Sequence, residues 1–262
     1  MQIPTFDPFN DPGPDFTALL RRQGVGDALP GGDVTRAGVV PHGTTVLAIR
    51  YADGALVAGD RRATSGNLIS HRTMEKVFPA DRWSGVAIAG AAGPAIEMVR
   101  LFQLQLEHYE KVEGTPLSLE GKANQLSQMV RSHLPAAMQG MAVVPLFAGY
   151  DRRRRVGRLF QYDVTGGRYE EQDYATSGSG GLHAATVVKL GFREGLGRDE
   201  AVDLAMTALM TAADEDSATG GPDPRRGIWP VVATITAPGF ERVGDDELAA
   251  RYERLVEGGE PA

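Results

Sequence analysis

Residues Val39–Thr64 read "VVPHGTTVLAIRYADGALVAGDRRAT". Two threonines, Thr44 and Thr45, follow a glycine and open an apolar run. "TTVLAIRYA" has the composition of a buried strand, "ADGA" of a tight turn with Asp53-Gly54 at its tip, and "ALVAGD" of the returning strand. Hydroxyls at the head of such a strand have two readings. They mark its start, or one of them is a nucleophile exposed when the residues in front of it are removed.

Composition narrows the field. The chain has 262 residues, 42% hydrophobic and 23% charged, which is ordinary for a globular protein able to bury a sizeable core. A formal net charge of −7 argues against nucleic acid as a partner, because phosphate binding needs a basic footprint. No stretch reaches the roughly 18 consecutive apolar residues of a membrane span. The opening "MQIPTFDPFNDPGPDF" has no basic region followed by an apolar core, so no secretory signal is expected. With no cysteine, disulfides, thiolate catalysis and cysteine metal sites drop out, and a cytoplasmic location is expected. His42, His71, His108, His133 and His183 lack paired metal spacing, so no metal and no cofactor is expected.

One seam divides the chain. Residues 1–43 are rich in proline and glycine, with one short amphipathic stretch, "FTALLRRQG", and cannot bury enough apolar surface to fold alone. From Thr44 onward the pattern is regular. After the first hairpin come "LISHRTMEKVFPAD" and "WSGVAIAG" as a strand pair. A helix is expected from Pro94 to about Glu110, with Ile96, Val99, Phe102, Leu106 and Tyr109 at helical spacing. Met98, Leu101 and Leu104 widen its apolar arc, which predicts cover from the chain's own sheet and from a neighbouring subunit. A second helix is expected over "PLSLEGKANQLSQMVRSHLPAAMQ". Strands follow at "VVPLFAGYD" and "GRLFQYDVTGGRYEEQ", helices at about 181–195 and 198–214, strands near "GIWPVVATIT" and "FERVG", and a polar helix at "DDELAARYERLVE". Segregated runs of strands and helices predict an α+β fold with antiparallel sheets and helices packed outside.

Chemistry-bearing residues cluster around the first hairpin. Asp60 ends the second strand and Lys76 lies in the next strand pair, so both can reach the head of the first strand. A lysine ammonium near an amine lowers the amine's pKa by like-charge repulsion. An N-terminal threonine so placed can use its own α-amine, whose ordinary pKa is already near ~8, as general base. The plainer reading of Asp60 and Lys76 is a surface ion pair worth ~0–1 kcal/mol.

Five motifs occur in one order: "GTTVLAIRYADGALVAGDRRAT", "EKV" ending at Val77, "AIAGAAGPA", "TSGSGG" and "DEDSATGG". Together they resemble a β-type subunit of the 20S proteasome, most closely the actinobacterial kind, from Thr44 to about Thr236 and with a long prosegment. The resemblance implies a four-layer αββα sandwich, the N-terminal-nucleophile hydrolase fold, over residues 44–262. It implies a zymogen whose prosegment, residues 1–43, leaves by autocatalytic cleavage between Gly43 and Thr44. Thr44 is then the nucleophile of a threonine endopeptidase. Thr45 is its rival, but Asp60 and Lys76 lie sixteen and thirty-two residues after Thr44, which is the family's spacing. Further implied roles are Gly90 as backbone oxyanion donor, and Ser179, Asp214 and Ser217 as hydrogen-bonding groups around the threonine amine. Ala63, Met74, Phe78, Ile88, Ala92 and Ile96 are implied to line an uncharged pocket with chymotrypsin-like preference, while Thr64 and Ala92 pair with substrate backbone. The implied partners are α subunits, further β subunits in stacked heptameric rings, and an ATPase ring that delivers unfolded or tagged proteins.

Two alternatives stay beside this reading. One is the dodecameric two-component bacterial threonine protease, whose subunits are shorter and lack a long prosegment. The other is an unprocessed ring scaffold, which predicts loss of Thr44, Asp60 or Lys76; all three are present. Weaker motif matches fail on spacing. "TSGSGG" has Ser177 where a nucleophile elbow needs glycine, "GAAGPA" lacks the lysine of a phosphate loop, and "DEDSATGG" lacks the spaced ligands of a calcium loop.

Overall fold

A computed structural model describes residues 43–257. The expected prosegment, Gly43 apart, lies outside the described residues, as does its amphipathic stretch. Strands β1 (Thr45–Tyr51) and β2 (Gly54–Gly59) form the expected hairpin, closed by Ala52 and Asp53, with Tyr51 opposite Gly54. Gly54 therefore belongs to the strand rather than to the turn tip. A Cβ there would lie 2.1 Å from the Ile235 carbonyl oxygen, so close approach of a neighbouring strand explains the glycine.

The expected strand from Leu68 to Asp81 divides. β3 (Ala63–Ser65) and β4 (Leu68–His71) make a separate exposed ribbon, and β5 (Val77–Asp81) pairs with β6 (Ser84–Gly90). Lys76 precedes β5 instead of lying within a strand. Helix α1 (Ala92–Glu113) ends at Gly114, whose φ of 70° closes the helix in the left-handed conformation. Helix α2 (Leu119–Ser132) starts where the Ser118 hydroxyl accepts the Gly121 N–H, and it stops before Pro135, leaving α3 (Leu134–Ala137) as a separate turn. Then come β7 (Val143–Asp151), β8 (Val156–Tyr162), β9 (Arg168–Glu171), β10 (Tyr174–Gly178), α4 (Gly181–Gly191), α5 (Arg198–Glu215), β11 (Val231–Ile235), β12 (Phe240–Arg242) and α6 (Asp245–Glu257). β10 carries only one buried residue, Ala175, and so has no apolar alternation to announce it. Its strand character comes from pairing with β1, Thr45 opposite Gly178.

Two five-stranded antiparallel sheets result, in the orders β10-β1-β2-β11-β12 and β5-β6-β7-β8-β9. They face each other across Val46, Ala48, Val57, Ala87, Leu146 and Leu159. The opposite face of the first sheet (Leu47, Ile49, Leu56, Ala58) packs on α4, α5 and α6, and that of the second (Val86, Ile88, Phe147, Phe160) on α1 and α2. Strands buried on both faces read as continuous apolar runs, which is why β1 and β2 dominate the sequence. The order of layers is the expected αββα sandwich. On α1, Ala95, Val99, Phe102 and Leu106 meet the sheet, while Leu101, Leu104 and Val112 stay exposed on the other side. Among the described residues no helix is long and apolar enough to cross a membrane.

Candidate active site

The site forms where the ends of the two sheets meet. Thr44 precedes β1 and is only 3% exposed. Asp60 follows β2 in the same sheet, whereas Lys76 arrives from the opposite sheet at the start of β5. Their ion pair thus spans the sandwich, Lys76 Nζ to Asp60 Oδ1 at 2.6 Å, with both side chains almost wholly buried. A surface pair is excluded by that burial. Asp60 also accepts backbone N–H bonds from Thr45 at 2.8 Å, Arg62 at 2.8 Å and Gly220 at 2.9 Å. A buried carboxylate with four donors is well satisfied, and it ties β1, β2 and the loop after α5 to one point. Burial pushes the Lys76 ammonium below the usual lysine pKa, against the charge of Asp60, which favours the protonated form.

Thr44 Oγ1 donates to the Gly43 carbonyl oxygen at 2.7 Å, and Lys76 Nζ donates to the same oxygen at 3.2 Å. Gly43 fits here because it lacks a side chain; a Cβ would stand 2.0 Å from the Ala218 Cβ. The Thr44 N–H points to Ser179 Oγ at 3.3 Å. Ser179 is delivered by β10 through Gly178, whose φ is 99° and where a Cβ would meet the Thr44 carbonyl oxygen at 2.0 Å. Ser179 Oγ in turn donates to Asp216 Oδ2 at 2.5 Å, and Thr219 Oγ1 donates to the same oxygen at 2.6 Å. Thr45 Oγ1 lies 2.6 Å from Thr219 Oγ1 and is fully buried. That hydroxyl is committed to the network, whereas Thr44 Oγ1 faces the preceding carbonyl, so the structure separates the two rival threonines. Burial pushes the Asp216 carboxyl up, but bonds from Ser179, Thr219 and the Ala218 N–H outweigh it and hold the pKa below its ordinary value.

Asp214 and Ser217 are not part of this network. Asp214 sits on the exposed side of the last turn of α5, and Ser217 is exposed, offering only its carbonyl oxygen to Arg62. Asp216 and Thr219 stand where those two were expected. "DEDSATGG" contains two overlapping frames with an aspartate three residues before a hydroxyl, 214/217 and 216/219. The end of α5 decides between them. Helix continues through Glu215, then Asp216 turns to extended backbone (φ −117°, ψ 107°), which swings its side chain off the helix toward Ser179.

A cleft beside Thr44 is lined by Gly43, Ala63, Thr64, Met74, Lys76, Ile88, Ala89, Gly90, Ala92 and Ala95. Ala63, Thr64, Met74, Ile88, Gly90 and Ala92 are thus brought together as expected from the sequence. Phe78 and Ile96 are half-buried and pack against the core cluster of the second sheet, and they are not among the residues that line this cleft. Ala89 and Ala95 line the cleft without having been singled out, being indistinguishable in sequence from other small core residues. The Gly43 N–H donates to Thr64 Oγ1 at 3.3 Å, which seats Gly43 in this cleft. Among the described residues no group of three or more histidines or acidic side chains has the arrangement to hold a metal ion.

An αββα sandwich with a buried threonine at the head of β1, an Asp–Lys pair behind it and a cleft in front defines the N-terminal-nucleophile fold. A family model described as proteasome subunit matches residues 40–222. The chain is 59% identical over 259 residues to the proteasome subunit beta of Acidimicrobium ferrooxidans, covering 98% of this chain and 95% of that one. It is 60% identical over 217 residues to that of Streptomyces griseus (83% and 77% covered) and 55% identical over 242 residues to that of Jonesia denitrificans (92% and 80% covered). The chain belongs to the proteasome subunit family, as a β-type subunit.

Proposed function

We propose that this subunit is a threonine endopeptidase, made as a zymogen, that cuts its own Gly43–Thr44 bond and then uses Thr44 on protein substrates. The observation that carries this reading is the pair of donors on one carbonyl: Thr44 Oγ1 at 2.7 Å and Lys76 Nζ at 3.2 Å from the Gly43 oxygen. The lysine ammonium stabilises charge developing on that oxygen as Thr44 Oγ attacks the carbonyl carbon. The Oγ–C bond forms, the Gly43–Thr44 C–N bond breaks, and the hydroxyl proton ends on the freed nitrogen. Water then hydrolyses the ester, releasing the prosegment as a carboxylate and restoring the Thr44 hydroxyl.

In later turnovers the new α-amine accepts the proton of its own Oγ. Lys76 keeps that amine's pKa low, Asp60 orients Lys76, and Ser179, held by Asp216, orients the amine. The Gly90 N–H serves the oxyanion of the tetrahedral intermediate, a contribution worth ~10²–10³ in rate. The cleft wall of Ala63, Met74, Ile88 and Ala92 supports a preference for large apolar side chains before the cut. Membership of the family implies assembly with α-type and further β-type subunits. Delivery of unfolded or tagged proteins by an ATPase ring, and a cytoplasmic location, complete the proposal. Relatives named proteasome subunit beta along almost the whole chain favour this reading over the dodecameric protease.

The test is the intact mass and N-terminal sequence of the chain after coexpression with its α-type partner. A chain beginning at Thr44 is expected. Retention of residues 1–43 in an assembled particle overturns the proposal in favour of the scaffold reading.

A further inference from the structure

At the other end of the second sheet, β7 runs out into the turn "DRRRR", Asp151–Arg155. Val143, at the start of β7, pairs with Gly90 of the catalytic cleft. The nine residues of β7 therefore separate this turn from the nucleophile by roughly 25–30 Å. Beside the turn lies a cleft of about 920 Å³, bounded by Trp83, the 115–119 segment, Tyr150 and Arg152–Arg154. Its volume is at the upper end of small-molecule sites and fits several residues of an extended peptide.

The turn is built to present cations. Asp151 is spent internally: its Oδ1 accepts the N–H groups of Arg153 and Arg154 at 3.0 Å each, and its Oδ2 meets Arg158 at 3.2 Å. Arg155 adopts φ 55°, the only positive φ among described non-glycine residues. The cleft's other charges are also consumed, Glu120 by Arg158 and Arg168, and Lys122 by Asp81. Among the described residues Arg152 and Arg153 have no carboxylate partner, and both are exposed. Arg152 is nevertheless ordered over a surface: its guanidinium lies 4.1 Å from the centre of the Trp83 ring, with Arg82 4.9 Å from the same ring. Trp83 is itself fixed by donation from its Nε1 to the Ala237 carbonyl oxygen at 3.1 Å. Stacking of this kind holds a guanidinium fork ready for a bidentate acceptor.

We infer that this cleft docks an acidic segment of a partner protein, with carboxylates on Arg152 and Arg153 and an apolar side chain against Trp83 and Leu117. Arg152 and Arg153, both exposed and without a carboxylate partner among the described residues, give this turn charge complementarity for an anion. The paired carboxylates Glu120 and Asp151 and the apolar wall disfavour a uniformly charged nucleic-acid backbone and suit a mixed acidic and apolar peptide.

The test uses the full chain assembled with its α-type partner and a short fluorescein-labelled peptide of glutamates with one central phenylalanine. Saturable binding that weakens with salt is expected, with a change in tryptophan emission. Arg152→Glu with Arg153→Glu should lower affinity by about tenfold or more while peptide hydrolysis at Thr44 stays unchanged. Because hydrolysis is read separately, failure of this inference is distinct from failure of the peptidase reading. Equal binding by the double variant, no binding, or displacement by an oligonucleotide of the same length at lower concentration overturns it.

Discussion

Lys76 and Asp60 come from opposite sheets and meet at 2.6 Å with almost no solvent contact. Removing one member of such a pair leaves a buried charge uncompensated, at a cost of about 3–5 kcal/mol. Here three backbone N–H groups still serve Asp60, so Lys76→Ala should fold with a lowered melting temperature. Peptide hydrolysis should drop by about 10² or more. Near-normal rates would show that the amine is activated by another group. Because burial lowers the Lys76 pKa, the alkaline limb of kcat/KM should fall below the ordinary lysine value. As pH rises through that limb, Lys76 loses the charge that holds the amine's pKa down.

The loop after α5 offers a direct comparison of two aspartates. Asp216→Asn should slow both self-processing and hydrolysis by about tenfold to a hundredfold, because Ser179 and Thr219 lose their charged acceptor. Asp214→Asn, on the exposed helix side, should leave both rates unchanged. For Asp216 the pH signature follows from the sign of its shift. A carboxyl whose pKa is depressed on folding stabilises the fold above its ordinary pKa, and that stabilisation disappears as pH falls through the lowered value. The wild type should therefore keep this increment at mildly acidic pH and lose it only below the usual carboxylate range. Equal acid-melting curves for wild type and Asp216→Asn would count against the bonded carboxylate.

Thr45 is assigned a positioning role by its bond to Thr219. Thr45→Val removes a buried hydroxyl and leaves the Thr219 oxygen without its donor, a loss of about 1–3 kcal/mol. The expected result is a kcat about tenfold lower with little change in KM, and recovery in Thr45→Ser. A kcat that stays at the wild-type value in Thr45→Val would remove Thr45 from the network.

Gly43→Ala tests the fit ahead of Thr44. The added methyl would meet Ala218 at 2.0 Å, so the carbonyl must shift away from Thr44 Oγ1 and Lys76 Nζ. Mass spectrometry of the assembled variant should find residues 1–43 retained on most chains. Complete processing at the wild-type rate would mean that the loop at Ala218 yields freely.

Much of this arrangement was legible in the linear chain. β1 and β2 are buried on both faces, so their apolar runs stand out, and the helical spacing of Val99, Phe102 and Leu106 marks α1. The distances along the chain from Thr44 to Asp60 and Lys76 depend only on strand lengths and turns, which local patterns reveal. β10 escaped notice because it is a strand through pairing with β1 and carries no pattern of its own. Phe78 and Ile96, expected in the pocket wall, are half-buried against the core cluster of the second sheet and outside the lining of this cleft, a distinction that residue type alone does not carry.

Local chemistry along the chain thus specified the class of fold and the residue types at the head of β1. Two choices waited for the packed molecule: Asp216 over Asp214, and Thr219 over Ser217. Each pair is equivalent by type and spacing. What separates them is where α5 stops and which hydroxyl the 216–220 loop leaves buried: Asp216 turns to meet Ser179, 37 residues away, and Thr219 meets Thr45, 174 residues away.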